Sequence, residues 1–183
     1  MIPRRFFLKS SLFLSSSTLA LPLVAKNTSP SSSDLPGEFC LRFYNTHTGE
    51  KLKSTFWAEG KFDPGALKDI DKVLRDHRSG KVAEIDRDLL LLLGRLNGAL
   101  DNNKELHVIS GYRAPESNAL LRSRGGGVAR RSLHMDGKAI DIRLPGTDLR
   151  MLRKAAMSLK GGGVGYYANS QFVHIDTGRV RYW

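Results

Sequence analysis

Residues 132–141 read S-L-H-M-D-G-K-A-I-D, and the rest of the chain can be read outward from them. An imidazole, His134, and a carboxylate, Asp141, are separated by seven positions, with Gly137 between them. From residue 138 to 144 the pattern is that of a strand. Ile140, Ile142 and Leu144 point to one side, and Ala139, Asp141 and Arg143 to the other. Glycine permits the sharp turn that would bring His134, in the preceding loop, over Asp141. Imidazole nitrogen and carboxylate oxygen are both zinc ligands, at roughly 2.0–2.2 Å.

A third ligand is available in F-V-H-I-D, residues 172–176. In a strand, Phe172, His174 and Asp176 share one face, and Val173 and Ile175 take the other. If this strand lies antiparallel beside 138–144, His174 and Asp141 come within roughly 4.5–5.5 Å at Cβ. The expected product is a metal site of two nitrogens and one oxygen, His134, His174 and Asp141, with a fourth position open for water.

The other segments build a frame for these two strands. Residues 39–45 and 52–57 read as strands joined by the turn T-H-T-G-E, with His47 a solvated turn residue. Asp63 and Pro64 start a helix that carries Leu67, Ile70, Val73 and Leu74. A second helix, about 86–100, has Leu89, Leu92, Leu93, Leu96 and Leu100 on one face, and its role is packing. A short strand at 106–110 leads into G-Y-R-A-P-E and a third helix at 116–122. The segment R-S-R-G-G-G-V-A-R-R-S, with Gly125, Gly126 and Gly127 at its centre, will not pack as a regular element. It reads either as a basic lid or substrate clamp beside the site or as a surface loop. A fourth helix, capped by Thr147 or Asp148, ends at Gly161–Gly163, and a strand at 164–167 precedes the last one. The fold class expected is α+β, a small antiparallel sheet flanked by helices.

The N-terminus, M-I-P-R-R-F-F-L-K followed by an uncharged run at 10–25, describes a secretory signal. The R-R-x-F-L-K arrangement resembles a twin-arginine export signal. The run is shorter than the roughly 20 residues of a spanning helix, so removal of 1–25 leaves no stable membrane association. Residues 26–37 read as a flexible linker and 38–183 as one domain that carries the expected metal site. A single cysteine, Cys40, can form no internal disulfide, so an exported fold rests on its core; Cys40 itself reads as a small buried hydrophobe. The formal charge of +11 falls to about +8 once Arg4, Arg5 and Lys9 are removed. Such a charge either favours an anionic partner or serves only solubility. With no basic helix interleaved with aromatics, nucleic acid is excluded in favour of the carboxylate-bearing peptide stems of the cell wall.

S-x-H-x-x-G-x-A-x-D, at Ser132, His134, Gly137, Ala139 and Asp141, resembles the first signature of the zinc D-Ala-D-Ala peptidases. That family includes VanX-type dipeptidases and MepA relatives and shares its fold with hedgehog signalling domains. S-G-Y-R, at 110–113, is similar to its upstream motif. G-G-V-G-Y-Y at 162–167 and F-V-H-I-D-T-G at 172–178, followed by Arg181 and Trp183, resemble the MepK-type (YcbK) murein endopeptidases in particular. The resemblance implies a periplasmic zinc hydrolase of peptidoglycan cross-links, including those between two diaminopimelate residues. The alternatives are a D,D-carboxypeptidase and a zinc-bearing wall-binding module without turnover. Ser132, by the same resemblance, helps bind substrate.

One position departs from the pattern. Many relatives carry a glutamate as general base three residues before the last histidine; here it is Gln171, which cannot take a proton. Asp176, two residues past His174 and roughly 6.6 Å along the strand, is the residue expected to act as base instead, through a bridging water. Its rival role is to orient a ligand histidine through the ring's other nitrogen. His107 is a third possibility, with a structural role as its alternative. Arg113 is expected to stabilise the oxyanion or hold the substrate carbonyl, and Tyr166, Tyr167 and Trp183 to line the cleft.

Overall fold

Strict alternation of burial along Glu38–Asn45 (β1) places Phe39, Leu41 and Phe43 on one face of an extended chain. The turn at residues 46–48 folds it back onto Lys51–Ala58 (β2), and a two-residue strand, Lys61–Phe62 (β3), extends the meander. Asp63 accepts a hydrogen bond from the Ala66 amide at 2.8 Å and caps α1 (Pro64–Val73), whose first position is the expected proline. Asp86 caps α2 (Arg87–Ala99) in the same way, through the amides of Asp88 and Leu89. The remaining elements are β4 (Leu106–Ser110), α3 (Pro115–Ser123), a 3₁₀ turn at Leu133–Asp136, β5 (Ala139–Arg143), α4 (Leu149–Ser158), β6 (Gly163–Tyr167), β7 (Phe172–Asp176) and β8 (Arg181–Tyr182). Asp148 is the α4 cap, the second of the two residues the sequence offered.

The computed structural model describes residues 37–101, 104–125 and 127–183. The expected export signal, and all of the expected linker except Gly37, lie outside the described residues. Among the described residues no helix is long and apolar enough to cross a membrane.

The strands form one sheet in the order β3-β2-β1-β4-β5-β7-β6-β8. This corrects the expectation of a small antiparallel sheet. The class is α+β, but the described sheet has eight strands and is mixed: β1 pairs with β4, and β6 with β8, in parallel. The parallel β1–β4 pair arises because the whole segment from β2 to α2 separates them, long enough for a crossover. β3 and β8, two residues each, are too short to show an alternation in sequence.

Helices cover one face of the sheet. α1 packs on β2, α2 on β1, and α4 on β6 and β7. Leu41, Phe43, Phe56, Leu89, Leu93, Ile140, Ile142, Val173 and Ile175 are fully enclosed in the core between them. Cys40, on the outward side of β1, is half-buried and free rather than enclosed.

Two devices in the loops position what lies on the other face. Gly137 has φ 65° and ψ 13°, the left-handed conformation, and ends the 3₁₀ turn directly before β5. Its carbonyl accepts from the Asp86 amide at 3.0 Å, and a Cβ here would meet the Glu84 carbonyl. Both conformation and space therefore require glycine. The second device is Asp76, buried at 1 % exposure. It accepts from the amides of Arg78 and Ala114, each at 2.9 Å. The neighbouring Tyr112 amide donates to the Leu74 carbonyl at 2.8 Å, and the Arg113 amide to the His134 carbonyl at 3.1 Å. The loop after β4 is thus tied at three successive residues. Burial pushes the Asp76 carboxyl up, but hydrogen bonds from Ser117, Arg78 and Ala114 outweigh it and hold it below its ordinary value.

Gly137→Ala should cost more than the roughly 1–2 kcal/mol of left-handed backbone strain alone, because the Glu84 carbonyl must also move; urea unfolding measures it. Asp76→Ala should cost about 1–3 kcal/mol by stranding buried amides. A depressed carboxylate stabilises above its unfolded pKa and loses this as pH falls through its folded one. The difference between Asp76→Ala and the parent should therefore be full at neutral pH and shrink on acidification below about pH 4.

Candidate metal centre

β5 and β7 are antiparallel neighbours, and their register sets Asp141 opposite His174. This is the pairing expected from the two motifs. The 3₁₀ turn brings His134 in from the side. The His174 Nδ1 lies 2.8 Å from Asp141 Oδ1, and His134 Nε2 lies 3.3 Å from both Asp141 Oδ2 and His174 Nδ1. One ligand atom from each of the three residues falls within 4.8 Å of the others.

Hydrogen bonds behind the rings decide which nitrogen faces the centre. The Gly111 carbonyl lies 2.8 Å from His134 Nδ1 and can only accept, so Nδ1 carries the proton and Nε2 presents its lone pair. His174 Nε2 is 2.9 Å from Asp176 Oδ2, which leaves Nδ1 turned toward Asp141. Two imidazole nitrogens and a carboxylate, oriented by their outer partners, form a donor set that fits a divalent metal of the zinc type.

The charges are mutually adjusted. Burial pushes the Asp141 carboxyl up, but His134 and His174 beside it hold it well below the usual carboxylate range. Burial lowers the His174 imidazole, and its hydrogen bonds with Asp141 and Asp176 outweigh this and raise it. Asp176 is fully enclosed. Besides His174, it accepts from Arg181 through both oxygens, at 3.0 and 2.7 Å, and from the amides of Gly163 and Gly178, at 3.1 and 2.8 Å. These donors hold its carboxyl far below the ordinary value against the burial that would raise it.

Above the three ligands lies a cleft of about 410 Å³. Arg113 and Ser132 are part of its wall, as expected. Arg113 is 9 % exposed, with Nη2 3.2 Å from Ser110 Oγ and 3.6 Å from Asp141 Oδ2. Ser132 begins the 3₁₀ turn without spending its hydroxyl on a capping bond. Residues 127–129 and Arg131 of the glycine-rich segment form another side, so this segment does border the cleft. Tyr167, Phe172, Arg181 and Trp183 close the aromatic side: Tyr167 stacks on Phe172, and Trp183 donates to the Tyr167 hydroxyl at 3.0 Å.

Two expectations require correction. Tyr166 does not line this cleft. Successive residues of a strand face opposite ways, so Tyr167 reaches the cleft while Tyr166 packs toward the core with Arg153 over its ring. His107 does not line this cleft; it meets Tyr44 edge-on and borders a separate groove around residues 144–150. Gln171, in the turn before β7 with φ 55°, borders that same groove and bonds the Ala168 carbonyl. Neither side chain is in a position to serve the metal-ligand cleft. Phe172, Arg131 and Arg181 are cleft residues to which the sequence reading assigned no individual role, although Phe172 shares its strand face with His174 and Arg131 belongs to the basic segment read as a lid, clamp or surface loop.

Comparison with known proteins agrees with this geometry. The family model described as peptidoglycan L,D-endopeptidase MepK matches residues 36–183. Peptidoglycan L,D-endopeptidase MepK of Escherichia coli (strain K12) is 43% identical over 143 residues, 78% of this chain and 79% of the relative. Probable peptidoglycan L,D-endopeptidase MepK of Haemophilus influenzae is 42% identical over 144 residues, 78% of this chain and 77% of the relative. The match spans every described strand and helix that builds the cleft, and the chain belongs to the MepK family of peptidoglycan L,D-endopeptidases.

Proposed function

We propose that the protein is a zinc-dependent peptidoglycan endopeptidase, exported to the periplasm by the twin-arginine signal in residues 1–25. The observation that carries this reading is the convergence of His134 Nε2, His174 Nδ1 and the Asp141 carboxylate on the floor of an open cleft. The relatives' designation as L,D-endopeptidases favours the links between two diaminopimelate residues as substrate. We extend the same reading to the fold, which we take to be the one shared by D-Ala-D-Ala peptidases and hedgehog domains.

A bound zinc ion would polarise the scissile carbonyl and bring the pKa of a bound water to about 7. The chain's own residues do the rest. Arg113, held against Asp141 by its tied loop, offers a guanidinium to the oxygen of the scissile carbonyl. Ser132 offers a hydroxyl, and Tyr167, Phe172 and Trp183 a face for the peptide. For Asp176 the orienting role is favoured over the base. Its oxygens are taken up by His174, Arg181 and two backbone amides, and it lies behind His174 rather than in the cleft. It fixes the tautomer and direction of that ring.

Among the described residues, Asp141 is the sole carboxylate lining the cleft. That observation supports a second reading, a zinc-bearing wall-binding module without turnover. Purified murein incubated with the protein separates the two, because only the endopeptidase releases new muropeptides, resolved by chromatography.

Chelation with EDTA should abolish release and added zinc restore it, and His134→Ala should lose activity and bound metal together, read by elemental analysis. Asp176→Asn should weaken zinc affinity by roughly 10–100-fold, as loss of an orienting partner does. A base would instead lose turnover with zinc affinity intact, so competition with a chelator distinguishes the roles.

A further inference from the structure

Three guanidinium groups border the metal-ligand cleft, and two of them are engaged within the protein. Arg113 lies against Asp141 and Ser110. Arg181 grips Asp176 with both terminal nitrogens and lies over the Trp183 ring, 4.9 Å from its centre. Arg131 is the third. It is exposed, lines the cleft, and pairs with no carboxylate among the described residues.

Although Arg131 follows a run of glycines, its own backbone is tied on both sides. Two residues before it, the Ala129 carbonyl accepts from Asn118 Nδ2 at 3.1 Å, and Asn118 is buried in α3. Directly after it, Ser132 opens the 3₁₀ turn, its carbonyl accepting from Met135 at 2.9 Å, and that turn carries His134. Arg131 therefore stands at a set place in the cleft wall, three residues from His134.

The charge balance of the cleft leaves this cation without an internal partner. Asp141 is committed to the ligand set, and Asp176 to Arg181 and His174. A cleft bordered by one sign of charge concentrates ligands of the other. The planar fork of arginine matches a carboxylate with two parallel hydrogen bonds, which an ammonium cannot reproduce.

We propose that Arg131 recognises a free carboxylate of the peptide substrate and makes the enzyme selective for acidic over amidated wall peptides. The proposal rests on the endopeptidase reading above and names a specificity residue for it. In a wall peptide the carboxylate has two sources, the free carboxyl of a diaminopimelate residue and the C-terminus of the stem.

The test uses the full mature protein with zinc bound and three synthetic cross-linked muropeptides: one with all carboxylates free, one with the diaminopimelate carboxyl amidated, and one with the C-terminus amidated. The parent protein should prefer the free peptide over one amidated form by about 10-fold or more in kcat/KM, the size of a charge-assisted hydrogen-bond pair. The amidated form that loses identifies the source. Arg131→Gln should bring that ratio close to one, and Arg131→Lys should retain part of it. Arg130→Gln, which removes an exposed charge outside the cleft lining, should keep the parental ratio. Calorimetric binding of a non-cleavable reduced-amide analogue, free or amidated, should follow the same order. Equal use and equal binding of free and amidated peptides by the parent overturn the proposal, as does a parental ratio in Arg131→Gln. If the parent cleaves none of the peptides but binds the analogues with this selectivity, the endopeptidase reading fails and the role of Arg131 stands.

Discussion

The antiparallel register of β5 on β7 is the constraint on which the site depends. Because Asp141 sits opposite His174, the two side chains meet on one face while Ile140, Ile142, Val173 and Ile175 are driven into the core on the other. A slip of β7 by one residue would turn His174 into the core and bring Val173 and Ile175 out of it, leaving Asp141 without its partner. The hydrophobic core and the metal ligands therefore enforce the same alignment. A site built on paired strands inherits the rigidity of the sheet, which coordination at close to 2 Å demands.

Around this pair, His134 and Arg113 are brought in from loops, where backbone freedom would otherwise blur their positions. The structure removes that freedom with hydrogen bonds that cross between loops. Gly137 turns left-handed against residues 84–86, Asp76 gathers the amides of residues 78 and 114, and the Arg113 amide bonds the His134 carbonyl. His134 in turn donates to the Gly111 carbonyl, so ligand and arginine loop hold each other. The buried Asp76 takes part through its hydrogen bonds to the backbone, and the resulting structure keeps the two loops at fixed separation.

The cleft combines opposing surfaces. Its aromatic side consists of Tyr167, Phe172 and Trp183, with Trp183 able to lie beside His174 because Gly165 leaves room for the indole. Its other side carries arginine. Gly163 lies where a side chain would collide with Asp176 and Arg181. The G-x-G spacing in β6 thus serves the packing of the pair behind His174 and of the indole above it. A peptide in this cleft meets an apolar face and a cationic rim, a pairing suited to stems that carry both hydrocarbon and carboxylate.

Much of this was legible in the chain itself. The three side chains that converge, the four helices with two of their caps, the strand that carries each motif and the turn at Gly137 follow from local rules, because hydrophobic period, capping residues and glycine act within a few positions. Tyr167 and Tyr166 would also have separated under strand parity. The extent and mixed pairing of the sheet, the two-residue strands β3 and β8, and the engagement of Asp176 by Arg181 and Gly163 are different in kind. They depend on contacts between segments distant in sequence or too short to carry a period. Likewise, sequence left Asp176 with two roles, while only the packed structure surrounded its carboxylate with donors. The sequence by itself determined which groups could bind a metal; tertiary structure decided which nitrogen, which neighbour and which unpaired charge faces the cleft, because those are set by distance in space and not by distance along the chain.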